Sequence, residues 1–296
     1  MPQLADAGSA RLALIAGNGM IPRQIADVLV TSGRDFQIVA IKGEADEETR
    51  RKAHAELGWS EIGRLHAFLK RTQCKEVLFI GGVTKRPDLL PFLTDFSTLK
   101  RLPAIIRALS SGGDDSLLTK VIRLFENEGF RVVGIKDVAP QLLASSGVLG
   151  RAKPSKADWH DLELALRATE KLGELDIGQA AVAVGGRVIA LEGAEGTDAM
   201  LQRCAELKSS GRVSARGRKG VLVKTAKPNQ DLRVDLPTVG PKTIELALAA
   251  GLSGIAVEAE GALIADKAGT LQKADAAGLF VVGVDRARMS DGPADE

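Results

Sequence analysis

The run of charged residues in positions 231–243 has the side-chain types and spacing best suited to chemistry in this chain. Read as a strand with period two, it places Asp231, Arg233 and Asp235 on one face and the intervening apolar residues on a buried face. Pro241 then suits the first position of a helix, whose free backbone N–H groups favour an anion such as phosphate. A carboxylate pair beside an anion site predicts metal-assisted chemistry at a phosphate, with Asp235 nearest the loop. A capped turn with solvated aspartates accounts for the same pattern equally well.

Strands and helices that could position this run alternate through the first half of the chain. Apolar runs of strand length occur at residues 12–16, 36–41, 77–80 and 130–135, with helix-period segments between them. This alternation predicts a mostly parallel sheet covered on both faces. We therefore expect an α/β protein whose N-terminal Rossmann-like domain spans residues 1–136.

The second half of the chain predicts a different kind of sheet. Residues 137–156 are rich in Pro, Gly and Ser and are typical of a linker. In residues 157–296, the apolar runs 180–184 and 187–191 flank Gly185-Gly186, which is a strong signal for a short hairpin. The sequence predicts a C-terminal mixed α/β catalytic domain, with a ligand cleft between the two domains.

A glycine turn follows the first predicted strand. Gly17, Asn18 and Gly19 form half of a dinucleotide-binding fingerprint, and Glu44 after the second strand could serve as the ribose-binding acid. Pro22 stands where the third glycine of that fingerprint would be. A tight turn that only connects two elements, and a backbone cradle for another phosphate or nucleoside, are alternatives to a dinucleotide site.

Four cations lie where they could contact phosphates. Lys85 and Arg86 belong to the segment 81–88, which follows a predicted strand and so falls at the carboxyl edge of the sheet. Lys224 and Lys227 end and follow a predicted strand of the second half. A solvated turn accounts for Lys85 and Arg86 almost as well as a phosphate site does.

Three carboxylates cluster where a predicted strand of the second half gives way to a helix. Glu192, Glu195 and Asp198 could share a hard divalent cation, because such ions prefer oxygen ligands. The alternative is that Thr197 caps the helix beside acidic neighbours.

Composition excludes several classes of function. The 40 Lys and Arg residues nearly balance the 38 Asp and Glu residues, and aromatic residues make up 3%, so a nucleic-acid surface is not expected. Cys74 and Cys204 lie far apart, which supports neither a disulfide framework nor a zinc site and fits a reducing cytoplasm. The sequence shows no signal-peptide pattern and no apolar run long enough to span a bilayer.

Several motifs together resemble a known family, the LpxI-type UDP-2,3-diacylglucosamine pyrophosphatases of lipid A biosynthesis. The matching segments are residues 15–22, 82–88, 175–179, 192–201 and 223–240. They span nearly the whole chain in the family's order, and the last segment is the most distinctive. Asn18 is the clearest departure, because the family often has a further glycine there.

The resemblance implies a magnesium-assisted hydrolase that splits UDP-2,3-diacylglucosamine into UMP and 2,3-diacylglucosamine 1-phosphate (lipid X). The essential aspartate of the family's Asp-Leu-Pro-Thr motif falls on Asp235, which would be the catalytic residue. As a hypothesis, Asp235 also holds the metal ion, and Asp198 and Glu195 are further candidates for contact with the metal or the substrate. The substrate-binding residues expected from the motifs and their spacing are Gly17, Asn18, Gly19, Lys85, Arg86, Gln179, Thr197, Lys224, Lys227, Thr238 and Gly240.

A lipid-linked UDP-sugar substrate would bring a cytoplasmic protein transiently to the surface of the inner membrane. The apolar segments 89–96 and 99–109 could line a cleft for the acyl chains, although core helices are the simpler interpretation. The chain could also form a homo-oligomer.

Two other classes of function fit parts of the sequence. A non-catalytic carrier of a nucleotide sugar or lipid would need the glycine turn and the cations but not Asp235 or a metal. An oxidoreductase would use the first domain as a dinucleotide site.

Overall fold

The computed structural model describes residues 10–58, 61–82, 114–213, 217–228 and 230–285. The chain forms two compact units. The first comprises Met1–Ala139 with Arg233–Asp235, and the second comprises Pro140–Leu232 and Leu236–Glu296.

A five-stranded parallel sheet is the centre of the first unit, with strand order β3-β2-β1-β4-β5. Its strands are β1 (Leu12–Ala16), β2 (Phe36–Ile41), β3 (Ala55–Leu57), β4 (Glu76–Ile80) and β5 (Arg131–Val132). All five residues of β1 are buried, as expected for a central parallel strand that is covered on both faces.

The helices of the first unit are α1 (Ile21–Thr31), α2 (Glu47–Lys52), α3 (Ile62–Arg71), α4 (Asp114–Asn127) and α5 (Ile135–Val138). Ile21, Ile25 and Leu29 recur at helical spacing on α1, and all three are buried. The side chain of Asp46 accepts a hydrogen bond from Thr49 N and so caps α2. Phe68 of α3 and Phe125 of α4 belong to one apolar core with the sheet.

A mixed six-stranded sheet is the centre of the second unit, with strand order β6-β13-β11-β9-β7-β8. Its strands are β6 (Gly147–Val148), β7 (Ala180–Val184), β8 (Arg187–Leu191), β9 (Val221–Lys224), β11 (Gly254–Glu258) and β13 (Phe280–Val284), and a separate parallel pair is β10 (Thr238–Val239) with β12 (Leu263–Ile264). Strands β9, β11 and β13 are parallel, whereas β6, β7 and β8 pair antiparallel. The predicted α/β class, with a parallel first sheet and a mixed second sheet, is confirmed.

Helices cover both faces of the second sheet. They are α6 (Lys156–Glu174), α7 (Gly196–Ser209), α8 (Pro241–Ala249) and α9 (Lys267–Ala277). Leu162 and Leu166 of α6 belong to the core on one face, and Met200 of α7 and Ile244 of α8 belong to the core on the other. The second sheet is therefore the middle of three layers.

Regular structure continues through the segment predicted as a linker, residues 137–156. It contains the end of α5, a 3-10 helix at Pro140–Leu142 and strand β6. Strand β6 pairs with β13, and Leu149 N donates a hydrogen bond to Val281 O. From Pro140 onward these residues belong to the second unit.

A buried carboxylate holds the predicted hairpin turn between β7 and β8. Gly185 and Gly186 have φ values of +60° and +78°, which a two-residue hairpin turn requires. The carboxylate of Asp161 on α6 accepts hydrogen bonds from Gly185 N at 2.9 Å and from Gly186 N at 2.6 Å. This side chain joins the helix to the turn.

Replacement of Asp161 should destabilise the second unit. We expect Asp161→Ala to lower the free energy of unfolding by about 2 kcal/mol, because two charge-assisted hydrogen bonds are lost. Glu163→Ala on the same helix is the control and should change stability little. Denaturant unfolding of both variants measures the difference, and equal stabilities would contradict the role of Asp161.

Both cysteines are free and buried. Burial raises the pKa of the Cys204 thiol from its ordinary value of 9.0 to about 11. The native state therefore holds the proton more tightly than the unfolded chain, so the stability from this group is complete below pH 9 and is lost as the pH rises toward 11.

The free energy of unfolding should fall more steeply across this interval in wild type than in Cys204→Ala, and equal slopes would contradict the assignment.

Candidate functional site

The glycine turn after β1 lies at the point where the strand order of the first sheet reverses. Strands β1 and β4 are neighbours, and the chain continues from β1 to β2 on one side and from β4 to β5 on the other. Open α/β sheets bind ligands at the carboxyl ends of such strands. Asn18 and Gly82 meet there and exchange two backbone hydrogen bonds of 2.9 Å.

Close approach of two backbones explains the glycines at this point. A Cβ atom on Gly17 would lie 2.6 Å from Gly82 O. Gly81 has φ +101°, and its Cβ would lie 2.8 Å from Asn18 O. Gly19 has φ +102°, a backbone conformation that favours glycine. The turn therefore has a structural reason for its glycines, and its contact with a ligand stays a prediction.

Several sequence predictions fall on residues that the structure does not describe. Lys85 and Arg86 lie outside the described residues, as do the segments 89–96 and 99–109 considered for the acyl chains.

The segment 231–236 is not a strand, so this prediction was wrong. Residues 232–234 form a turn and residues 235–237 have no regular structure. Leu232, expected on a buried face, is 41% exposed. The period-two pattern fails because Leu232 belongs to the second unit, whereas Val234 packs against the core of the first.

Residues 233–235 are held by the first unit, and this positions Asp235. Arg233 Nη1 lies 2.7 Å from Glu126 Oε1 on α4. A Cβ atom on Gly134, two residues beyond β5, would lie 3.2 Å from Arg233 Cα. Asp235 is partly buried and follows Val234 directly. It therefore follows a segment packed near the carboxyl end of β5, at the same edge of the sheet as the glycine turn.

A buried carboxylate brings two predicted site residues of the second unit together. Glu192 is 6% exposed and directly follows β8. It accepts a hydrogen bond from Thr197 Oγ1 at 2.6 Å and another from Gln179 N at 3.0 Å. Thr197 lies in the first turn of α7 and Gln179 directly precedes β7. The sequence motifs predicted Gln179 and Thr197 as substrate-binding residues, but they did not indicate that Glu192 connects the two.

The two predicted lysines lie at the carboxyl end of β9. Lys224 is 9% exposed, and its Nζ donates to Thr238 O at 3.2 Å. Lys227 Nζ lies 2.6 Å from the carboxylate of Asp176. Gly240 precedes α8, which begins at Pro241 as predicted, and Gly240 N donates to Thr243 Oγ1 at 3.1 Å. Lys224 and Thr238 are thus neighbours although 14 positions separate them in the sequence.

The carboxylates proposed as further metal ligands are each paired with a cation. Glu195 Oε1 lies 3.0 Å from Arg203 Nη1, and Asp198 Oδ2 lies 2.7 Å from Lys242 Nζ. The hydrogen bond with Asp198 raises the pKa of Lys242. Within the described part of the chain, no group of three or more His, Cys, Asp or Glu side chains is arranged to hold a metal ion. The side chains described here therefore do not fit a magnesium site built from Glu195 and Asp198.

Glu258 is a further acidic side chain near the carboxyl end of β9, and the sequence analysis did not single it out. It is the last residue of β11, which lies beside β9 in the sheet. Its Oε2 accepts a hydrogen bond from Ala226 N at 2.9 Å, between Lys224 and Lys227. The signal in the sequence is an acidic residue that ends an otherwise apolar strand.

Comparison with known proteins agrees with these two units. The model of the LpxI N-terminal domain matches residues 11–142, and the model of the LpxI C-terminal domain matches residues 145–282. The chain belongs to the LpxI family. A relative from Caulobacter vibrioides, named UDP-2,3-diacylglucosamine pyrophosphatase LpxI, is 42% identical over 275 residues, which cover 93% of this chain and 98% of the relative.

The match to both LpxI domains confirms the resemblance inferred from the motifs. Among the helices that the structure describes, none has the length and apolar character needed to cross a membrane.

The close approach of Gly17 to the carbonyl oxygen of Gly82 gives a stability prediction. Gly17→Ala should lower the free energy of unfolding by about 1 to 3 kcal/mol, because the new methyl group overlaps a backbone oxygen. Gly58→Ala in the same unit is the control, since its Cβ would lie 3.4 Å from the nearest atom outside its chain neighbours. Thermal unfolding followed by circular dichroism compares the two, and an unchanged melting temperature for Gly17→Ala would contradict the packing argument.

Proposed function

We propose that this protein hydrolyses the diphosphate bond of UDP-2,3-diacylglucosamine to UMP and 2,3-diacylglucosamine 1-phosphate. The observation that carries the proposal is the relative of that activity, which is 42% identical over nearly its whole length. Both halves of the chain match the corresponding LpxI domains, so the similarity is not confined to one unit.

Water attacks the phosphorus nearer the sugar in this proposal. The new P–O bond gives the sugar 1-phosphate, and the bond to the bridging oxygen breaks so that UMP leaves. One proton of the water must be accepted during the reaction, and we assign this role to the carboxylate of Asp235. Support comes from the anchoring of its neighbours, Arg233 and Val234, because a base must be held in place relative to the water.

Lys224 and Lys227 are proposed to stabilise the negative charge of the diphosphate and its transition state. Both lie at the carboxyl end of β9, and Lys224 is nearly buried. A cation in such an environment interacts more strongly with a phosphate than a solvated one does.

A requirement for Mg²⁺ is expected from the family resemblance, and the ion would offset charge on the phosphate oxygens. Because Glu195 and Asp198 are paired with Arg203 and Lys242, we assign them to no step. The metal requirement is tested directly by assays with Mg²⁺ or with a chelator.

Cytoplasmic location, transient contact with the inner membrane and assembly as a homo-oligomer also remain proposals. Contact with the membrane follows from the expected lipid-linked substrate, whose acyl chains favour an apolar environment. Cytoplasmic location follows from the two distant cysteines, which fit a reducing compartment.

Asp235→Ala should lose turnover but keep the substrate. We expect release of UMP to fall by about 10²- to 10⁴-fold, because a proton-transfer group is removed, while the Kd for the substrate changes little. Asp27→Ala is the control, since Asp27 is an exposed residue of α1 in the same unit. In H₂¹⁸O the label should appear in the sugar 1-phosphate and not in UMP.

Three outcomes would contradict parts of the proposal. Normal turnover by Asp235→Ala would remove this residue from the mechanism, and label in UMP would reverse the site of attack. Binding without any hydrolysis by folded wild type, with Mg²⁺ present, would favour a carrier.

A further inference from the structure

Two backbone hydrogen bonds and the tight packing of the preceding residue fix the backbone of Gln179, just before β7. Its N–H donates to Glu192 Oε2 at 3.0 Å, and its carbonyl accepts from Thr225 N at 3.0 Å. The preceding residue, Gly178, has no room for a side chain, because a Cβ atom would lie 2.2 Å from Glu192 O. The side chain of Gln179 thus leaves a backbone that cannot shift easily.

The side-chain oxygen of this rigid residue is buried and has no donor. Within the described residues, Gln179 Oε1 makes no hydrogen bond and is shielded from solvent. A buried carbonyl without a donor is unfavourable, and nearly all such groups in proteins find a partner. The fixed backbone means that Gln179 cannot relieve this by a small movement of the main chain.

The partner that suits this oxygen is an N–H or O–H group. The ionised diphosphate offers acceptor oxygens, so it is not the partner. A UDP-sugar carries suitable donors at its two ends, namely the imide N–H of uracil and the N–H and O–H groups of the acylated sugar.

We infer that the side-chain carbonyl of Gln179 accepts a hydrogen bond from an N–H or O–H group at one end of the UDP-sugar, and that Glu192 is the positioning residue for Gln179. The inference rests on the proposed function, because that function names the ligand. It assigns to Gln179 the recognition of the nucleobase or the sugar, separate from the recognition of the diphosphate.

Glu192 also ties Gln179 to the start of α7. Its other oxygen accepts from Thr197 Oγ1 at 2.6 Å, so one buried carboxylate connects the residue before β7 with the first turn of α7. Both carboxylate oxygens are used within the protein. Glu192 therefore joins Gln179 to Thr197, which is the basis of its positioning role.

The first experiment measures the binding of the two products to Gln179→Met, which keeps the size of the side chain and removes its polar atoms. The probes are UMP, 3-methyl-UMP and 2,3-diacylglucosamine 1-phosphate. Loss of one hydrogen bond should weaken the affected product by about tenfold. The control is Gln202→Met, on an exposed position of α7.

The three probes distinguish the donor. If uracil is the donor, Gln179→Met weakens UMP, and 3-methyl-UMP binds wild type and variant equally. If the sugar is the donor, only the sugar 1-phosphate is weakened. Unchanged affinity of Gln179→Met for both products would overturn the inference and would indicate that an ordered water satisfies Oε1.

Glu192→Gln and Glu192→Ala test the positioning role. The amide in Glu192→Gln can accept from Gln179 N and donate to the Thr197 hydroxyl, so product binding should be retained. Glu192→Ala should weaken the same product as Gln179→Met, and the double variant should be no weaker than either single variant. Additive losses would overturn the role of Glu192.

These binding measurements do not depend on turnover. Failure of wild type to hydrolyse UDP-2,3-diacylglucosamine, with normal binding of both products, would reject the proposed function alone. Wild-type hydrolysis with equal product binding and equal KM for Gln179→Met would reject this inference alone. Failure of wild type to bind either product would reject both.

Discussion

The direction of parallel strands is the constraint on which the candidate site depends. Parallel strands are joined by crossovers that return along the faces of the sheet, so the loops after their carboxyl ends leave at one edge. In the first unit this edge brings together the loops after β1, β4 and β5. In the second unit β9 and β11 end at one edge, where antiparallel β7 begins and β8 ends. Residues far apart in sequence become neighbours for this reason.

Carboxylates in the second unit hold backbone amides in place at both ends of the β7–β8 hairpin and beside β9. Asp161 accepts from the two amides of the hairpin turn, Glu192 accepts from Gln179 N, and Glu258 accepts from Ala226 N. Backbone amides are strong partners for a buried carboxylate, because they satisfy its charge without a mobile side chain. An acidic residue after or at the end of a strand can therefore fix the neighbouring backbone through hydrogen bonds from amides.

Features with a local cause could be predicted from the sequence. The central strands of the first sheet appear as apolar runs because both faces of the sheet are covered. The hairpin was predicted correctly, since Gly185 and Gly186 supply the positive φ values that the turn needs. The start of α8 at Pro241 follows from the fixed φ of proline. The segment 231–236 was misread because its alternating pattern matches a strand, whereas its apolar residues belong to two different units.

The sequence alone determined the class of the fold and the family of the protein, because strand periodicity and the short motifs are written in consecutive residues. The tertiary structure alone decided which partner each charged or polar side chain has. Arg233 meets Glu126, which lies 107 positions away, and Asp198 meets Lys242 of α8. Gln179 and Thr197 are linked through Glu192. These pairings depend on how elements that are distant in sequence pack together. A hydrogen bond requires its two heavy atoms to lie about 3 Å apart, and spacing along the chain does not determine which distant residues approach so closely.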